Sequence, residues 1–199
     1  MFEMARNSLL VFLLVVLVGC SGTQNYVPKP VAYPRISLPE FTNYSRFETT
    51  CPYTFEYPNY TWIKQDTFFF DEVMLSDCWV DMIYPDLNAK VHFSYKEIGR
   101  DISLEKVMED SYELAYTHTK KADFIDEYEI NNPNGVQGLM SNIGGDAANN
   151  LQFYLTDYEK HYLRGAVYFA SHPNQDSIKP ALDFVKKDVM HLFETFNWK

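Results

Sequence analysis

Apolar and polar residues alternate with a period of two along the middle of the chain, the mark of half-buried strands. In AKVHFSYKE (89–97), Val91, Phe93 and Tyr95 share one face, while His92, Ser94 and Lys96 share the other. TWIKQDTFFF (61–70) and CWVDMIYP (78–85) read as two more strands around a polar turn near residues 72–77. ADFIDEYEI (122–130) sets Phe124, Tyr128 and Ile130 on one face. NNPNG (131–135) then turns the chain, because Asn-Gly readily takes the positive φ of tight hairpins. VQGLMSNI (136–143) is the next strand, followed by a turn at Gly144-Gly145-Asp146. Leu151, Phe153 and Leu155 oppose Gln152, Tyr154 and Thr156 in a further strand. HYLRGAVYFA (161–170) alternates Leu163, Val167 and Phe169 with Tyr162, Arg164, Ala166 and Tyr168, and Gly165 marks a bulge or a close crossing.

The period changes twice. In ISLEKVMEDSYELAYTHTKKA, Leu104, Val107, Met108, Leu114 and Ala115 form a helical stripe that Ser111 and His118 extend. Ser103 is its N-cap, Glu105 suits the positive helix start, and Lys120 and Lys121 suit the end. Near the C-terminus, Ile178, Leu182, Val185, Val189, Leu192 and Phe196 form a second stripe, capped by Asp176 or Ser177. Pro180 is placed in the first turn, where backbone N–H groups lack helical partners. The order βββ-α-ββββ-α with short links implies antiparallel pairing. The fold class expected is α+β, a twisted antiparallel sheet with helices packed on it. This order resembles the Mog1/PsbP-like α/β/α sandwich at the level of fold alone.

Ahead of the strands, LLVFLLVVLVGCSG (9–22) is apolar for ten residues and then runs into Gly-Cys-Ser. A membrane-spanning helix needs about 20 apolar residues. A run half that long after a start carrying Arg6 has the form of a secretory signal. Leu17-Val18-Gly19-Cys20 resembles the lipobox of bacterial lipoproteins. It predicts cleavage after Gly19 and lipid on Cys20, and several acyl chains at about 0.8 kcal/mol per buried CH₂ give durable anchoring. The other reading is a buried apolar helix with an incidental cysteine. Residues 1–19 are therefore the signal peptide, and 20–50, with Pro28, Pro30, Pro34 and Pro39, a lipidated proline-rich tether. Residues 51–199 are a single α+β domain. Tyr26, Tyr33, Phe41 and Tyr44 leave part of the tether able to pack on that domain. No acidic run follows Cys20, so the protein is expected to face the periplasm.

Composition narrows the function. The net charge is −10 and no basic stripe exists, which argues against nucleic acid as a partner. Cys51 and Cys78 are the cysteines left after Cys20. In an exported domain they are a candidate disulfide, and closing a loop of about 30 residues contributes about 3–4 kcal/mol in the loop-entropy model. Two buried free thiols are the alternative. His92, His118, His161, His172 and His191 are scattered, with no ligand spacing that would make a metal site. Gly144-Gly145-Asp146 lacks the Glu-Phe of a GGDEF signature, and GVQGLMSNIGG lacks the Gly-Lys-Ser/Thr of a phosphate loop. The acidic residues of 109–129 read as solvated faces. No catalytic residue and no cofactor site is predicted.

Seven segments together carry a stronger signal: YVPKPVAYPRISLPE, CPYTFEYPNY, CWVDMIYP, KVHFSYKEI, EDSYELAYTHTKKAD, LQFYLTDYEKHYLRGAVYF and HPNQDSIKPALDFVKKDVMHLFETFNWK. In this order, over Tyr26–Lys199, they resemble the gliding-motility lipoprotein GldD family. The lipobox cysteine, the Cys51/Cys78 positions and the Phe196-Asn197-Trp198-Lys199 end fit the family's pattern. The resemblance implies a lipid-anchored envelope protein needed for gliding and associated with the type IX secretion machinery, with other envelope proteins as partners and no catalytic residues to transfer. A second reading is a periplasmic binding module or enzyme acting on a small molecule, glycan or lipid, suggested by the aromatic surplus near His161 and Arg164. A deep pocket with convergent polar groups would favour it.

Overall fold

Strand β7 (Ala89–Glu97) is the spine of the structure, a computed structural model that describes residues 32–33, 35–65, 68–69, 72–73, 77–117, 121–171 and 174–199. The leader, Cys20, most of the proline-rich segment, His118, Lys120 and His172 lie outside the described residues. Along its whole length β7 pairs antiparallel with β11 (His161–Phe169), from Ala89↔Phe169 to Glu97↔His161. On its other side stands β6 (Val80–Tyr84), followed by β3 (Trp62–Gln65). Beyond β11 come β10 (Leu151–Thr156), β9 (Gln137–Gly145) and β8 (Ala122–Asn131). The result is a seven-stranded antiparallel sheet in the order β3-β6-β7-β11-β10-β9-β8. The α+β class and the antiparallel pairing are as the sequence predicts.

One feature is additional. Tyr44–Phe47 (β1), inside the stretch expected to be tether, pairs with Tyr53–Pro58 (β2), and β2 pairs with Asn197–Trp198 (β12) to make a second, three-stranded sheet. A short ladder of Phe68–Phe69 (β4) with Glu72–Val73 (β5) also occupies ground expected to be part strand and part turn. Residues Tyr44–Phe47, inside the span expected to be tether, thus pair into the fold. β2 escapes a period-two reading because Tyr53, Thr54 and Phe55 are all buried, between the sheets on one side and under Arg46 and Phe47 on the other.

The core is an aromatic layer between the sheets. Phe55 stacks on Phe93, Phe93 meets Phe153 edge to face, and Phe153 meets Phe193 edge to face with centroids 4.8 Å apart. Tyr53 and Phe196 close the layer on the side of the small sheet. Such ring pairs add about 0.5–1.5 kcal/mol each beyond their burial. Phe193 comes from the long helix Gln175–Thr195 (here α2), which buries Ala181, Leu182, Val185, Val189 and Leu192 on this same side. Its N-cap is Asn174, whose side-chain oxygen accepts from Ser177 N, two and three residues before the expected caps Asp176 and Ser177. Pro180 consequently lies in the second turn, where it costs a helical hydrogen bond. The other end of α2 is tied to the β8–β9 turn. Asn132 Nδ2 donates to the carbonyls of Phe193 and Phe196 while its Oδ1 accepts from Asn134 and Val136 N–H groups.

A disulfide joins Cys51, ahead of β2, to Cys78, ahead of β6, with Cα atoms 5.4 Å apart. It links the two sheets covalently, and the Tyr53 hydroxyl donates to the Cys78 carbonyl beside it.

Gly165 is a close crossing, as its place in the strand suggests. A Cβ there would stand 2.0 Å from the Phe153 ring. Gly165→Ala is expected to lower stability by about 1–3 kcal/mol through overpacking. Urea denaturation measures it, and an unchanged midpoint would contradict this packing.

Candidate functional site

The face of the large sheet turned away from the aromatic layer is polar. Its floor is set by strand register. One cross-strand row runs His92, Ala166, Gln152, Ser141, and the next runs Ser94, Arg164, Tyr154, Leu139. Ala166, Ser141 and Ser94 are small, so the floor is low beneath the helix Leu104–Tyr116 (α1) that crosses it. Ser103 caps α1 by accepting from Lys106 N. Of the predicted stripe only Val107 and Ala115 are buried. Leu114 is 46% exposed, a correction, and the helix ends at Tyr116, before the lysines expected to close it. Two apolar anchors are few for a helix of this length, and Ser111 adds a polar one by accepting from the Tyr162 hydroxyl at 2.6 Å.

Two clefts flank α1. One, of about 290 Å³, lies between Met108, Tyr112 and Ala115 of the helix and Leu139, Ser141 and Tyr154 of the sheet. The other, of about 450 Å³, lies between Trp79, Lys96 and Tyr168 of the sheet side and Leu114 of the helix. Gln152 and Arg164 line both. Arg164 donates to Gln152 Oε1. Gln152 is 3% exposed, and its Nε2 has no hydrogen-bond partner among the described residues. An unmade bond on a buried amide costs about 1–3 kcal/mol. Beside His92, which lines the larger cleft, buried Asp81 holds His92 Nδ1 at 2.7 Å and Lys90 Nζ at 2.7 Å. Burial pushes the Asp81 carboxyl up, but the hydrogen bonds from His92 and Lys90 outweigh it and hold the group below the usual carboxylate range. Burial, with Tyr158 beside it, pushes the Tyr154 hydroxyl up to about 12.

The other sites read from the sequence separate. His161 and Arg164, considered together above, lie on opposite faces of β11. His161 Nδ1 is 2.8 Å from the Tyr95 hydroxyl, and its ring stacks on Trp198. His191 stacks on Tyr44, with Nε2 2.9 Å from Glu56. Gly144 and Gly145 end strand β9 rather than forming a free turn.

The model of the family described as gliding motility lipoprotein GldD matches residues 23–198. The chain belongs to that family. No curated protein and no solved structure matches it. Membership of the GldD family makes the chain a gliding-motility lipoprotein, lipid-anchored at the cell envelope. No helix among the described residues is long and apolar enough to cross a membrane. The GldD-family match spans both sheets, both helices and the two clefts.

Nothing local in the sequence marks Gln152, Lys96, Asp81 or Trp79 as site residues. The only trace they leave there is parity: each polar one falls on the solvent side of an alternating strand.

Asp157, which accepts the N–H groups of Glu159, Lys160 and His161, resembles Asp81: burial raises its carboxyl, but these bonds hold it low. A carboxylate depressed in the fold stabilises it above the unfolded value, about 3.9, and that contribution is lost as pH falls through the folded value. Stability is expected to drop on acidification below about pH 4. Asp81→Asn should be less stable than the parent at pH 7 and converge toward it in acid, as urea denaturation across pH will show. A parent–variant gap independent of pH would contradict this assignment.

Proposed function

We propose that this GldD-family lipoprotein is a non-enzymatic accessory component of the gliding apparatus, associated with the type IX secretion machinery and facing the periplasm. The observation that carries the reading is one continuous family match, residues 23–198, starting three residues after the lipobox cysteine Cys20. Lipid on Cys20 holds the body at a membrane, and the proline-rich residues that follow set its reach. Confinement to that surface raises the effective concentration of the domain toward other envelope proteins, as linking two binders does. The disulfide between Cys51 and Cys78 suits an oxidising compartment beyond the inner membrane.

The clefts beside α1 favour a second reading, a periplasmic binding module, because polar groups converge there on a concave site of ligand size.

Cys20→Ala is expected to yield a folded domain that fails to restore gliding, or export of the motility adhesins, to a deletion strain. Spreading assays and analysis of the secreted proteins measure this. Full complementation by the unanchored protein would overturn the reading.

A further inference from the structure

Among the described residues, two cations on the polar face have no acidic partner and one buried amide has an unused N–H donor. Lys96 and Arg164 are diagonal neighbours: Arg164 faces Ser94 across the β7–β11 ladder, and Lys96 is two residues further along β7. Such positions lie about 7–8 Å apart. Among the described residues neither side chain has an ion-pair partner, although the protein as a whole carries a net charge of −10. The acidic residue nearest in the lining, Asp110 of α1, is held by Lys106 at 3.0 Å. The larger cleft therefore presents positive charge. Gln152 adds a donor, since its Oε1 is taken by Arg164 and its Nε2 is unpartnered among the described residues.

The walls are of a different kind. Trp79 stands on the sheet side, its indole N–H fixed on the Tyr95 carbonyl at 2.7 Å. Tyr168 is 38% exposed at the mouth, and Leu114 faces the cleft from α1. About 450 Å³ falls within the range of small-molecule sites. Donors from Lys96, Arg164 and Gln152 in a cleft that Trp79 also lines suit a ligand with a carboxylate and a flat or chair-shaped body.

We propose that this cleft binds a small ring-bodied acid of the uronic acid type. The carboxylate sits between Lys96 and Arg164, a ring hydroxyl accepts from Gln152 Nε2, and the ring lies against Trp79. The binding stands apart from the secretion role proposed above and rests on the geometry alone.

Isothermal titration calorimetry of the full-length protein in detergent with D-glucuronate tests it, with D-glucose and acetate as comparators. The expected result is saturable glucuronate binding at least tenfold tighter than either comparator. Lys96→Gln, a half-buried rim position, should weaken glucuronate at least tenfold while leaving the thermal midpoint unchanged. Gln152→Leu should weaken glucuronate too, and circular dichroism confirms that each variant is folded. Absence of saturable glucuronate binding, glucose or acetate binding within tenfold of it, or an undiminished affinity in folded Lys96→Gln would each overturn the proposal.

Discussion

The contact between Phe153 and Gly165 holds the architecture together. A ring on β10 lies flat over a position on β11 where no Cβ exists. From there the ring reaches Phe93 on β7 and Phe193 on α2. Through Phe93 the chain of ring contacts continues to Phe55 and into the small sheet. Large sheet, long helix and small sheet thus meet in one layer of aromatic side chains. The Cys51–Cys78 disulfide closes the same junction at its edge. Such packing is dense and unforgiving, so this face of the sheet is committed to stability.

The opposite face is free for other work because of that commitment. A strand puts alternate residues on opposite sides, so the core residues of these strands have neighbours that face away. Those neighbours include Asp81, His92, Lys96, Gln152 and Arg164, which the ladders gather under α1. The helix is fastened over this face through buried Val107 and Ala115 and through the Ser111–Tyr162 hydrogen bond, and leaves a cleft on each side. A lipid-anchored protein of the gliding-motility GldD family therefore has a rigid apolar half and a polar half under a lightly fastened cover.

Strands β7, β10 and β11 were readable in the sequence because each is half buried and alternates cleanly. Both helices were readable from their stripes. The second sheet was not: β2 is covered on both sides and shows no alternation, and β12 is too short to carry a pattern. Asn174 is hard to single out as the cap because Asp176 and Ser177 offer the same chemistry next to it, and with the cap at Asn174 Pro180 falls in the second turn rather than the first. The candidate cleft was only half legible. Parity assigns Lys96, Gln152 and Arg164 to the polar side. Nothing local brings Lys96 beside Arg164, since that proximity depends on two strands pairing across more than sixty intervening residues. The unpartnered Gln152 amide is likewise a property of the fold and invisible in the string.

Hydrogen exchange followed by mass spectrometry tests the two-faced account most directly. Amides of β10, β11 and β7, pinned by the aromatic layer, are expected to exchange only through global unfolding, and those of α1 to exchange far sooner through local opening. Equal protection of α1 and the central strands, lost together in one cooperative step, would contradict it.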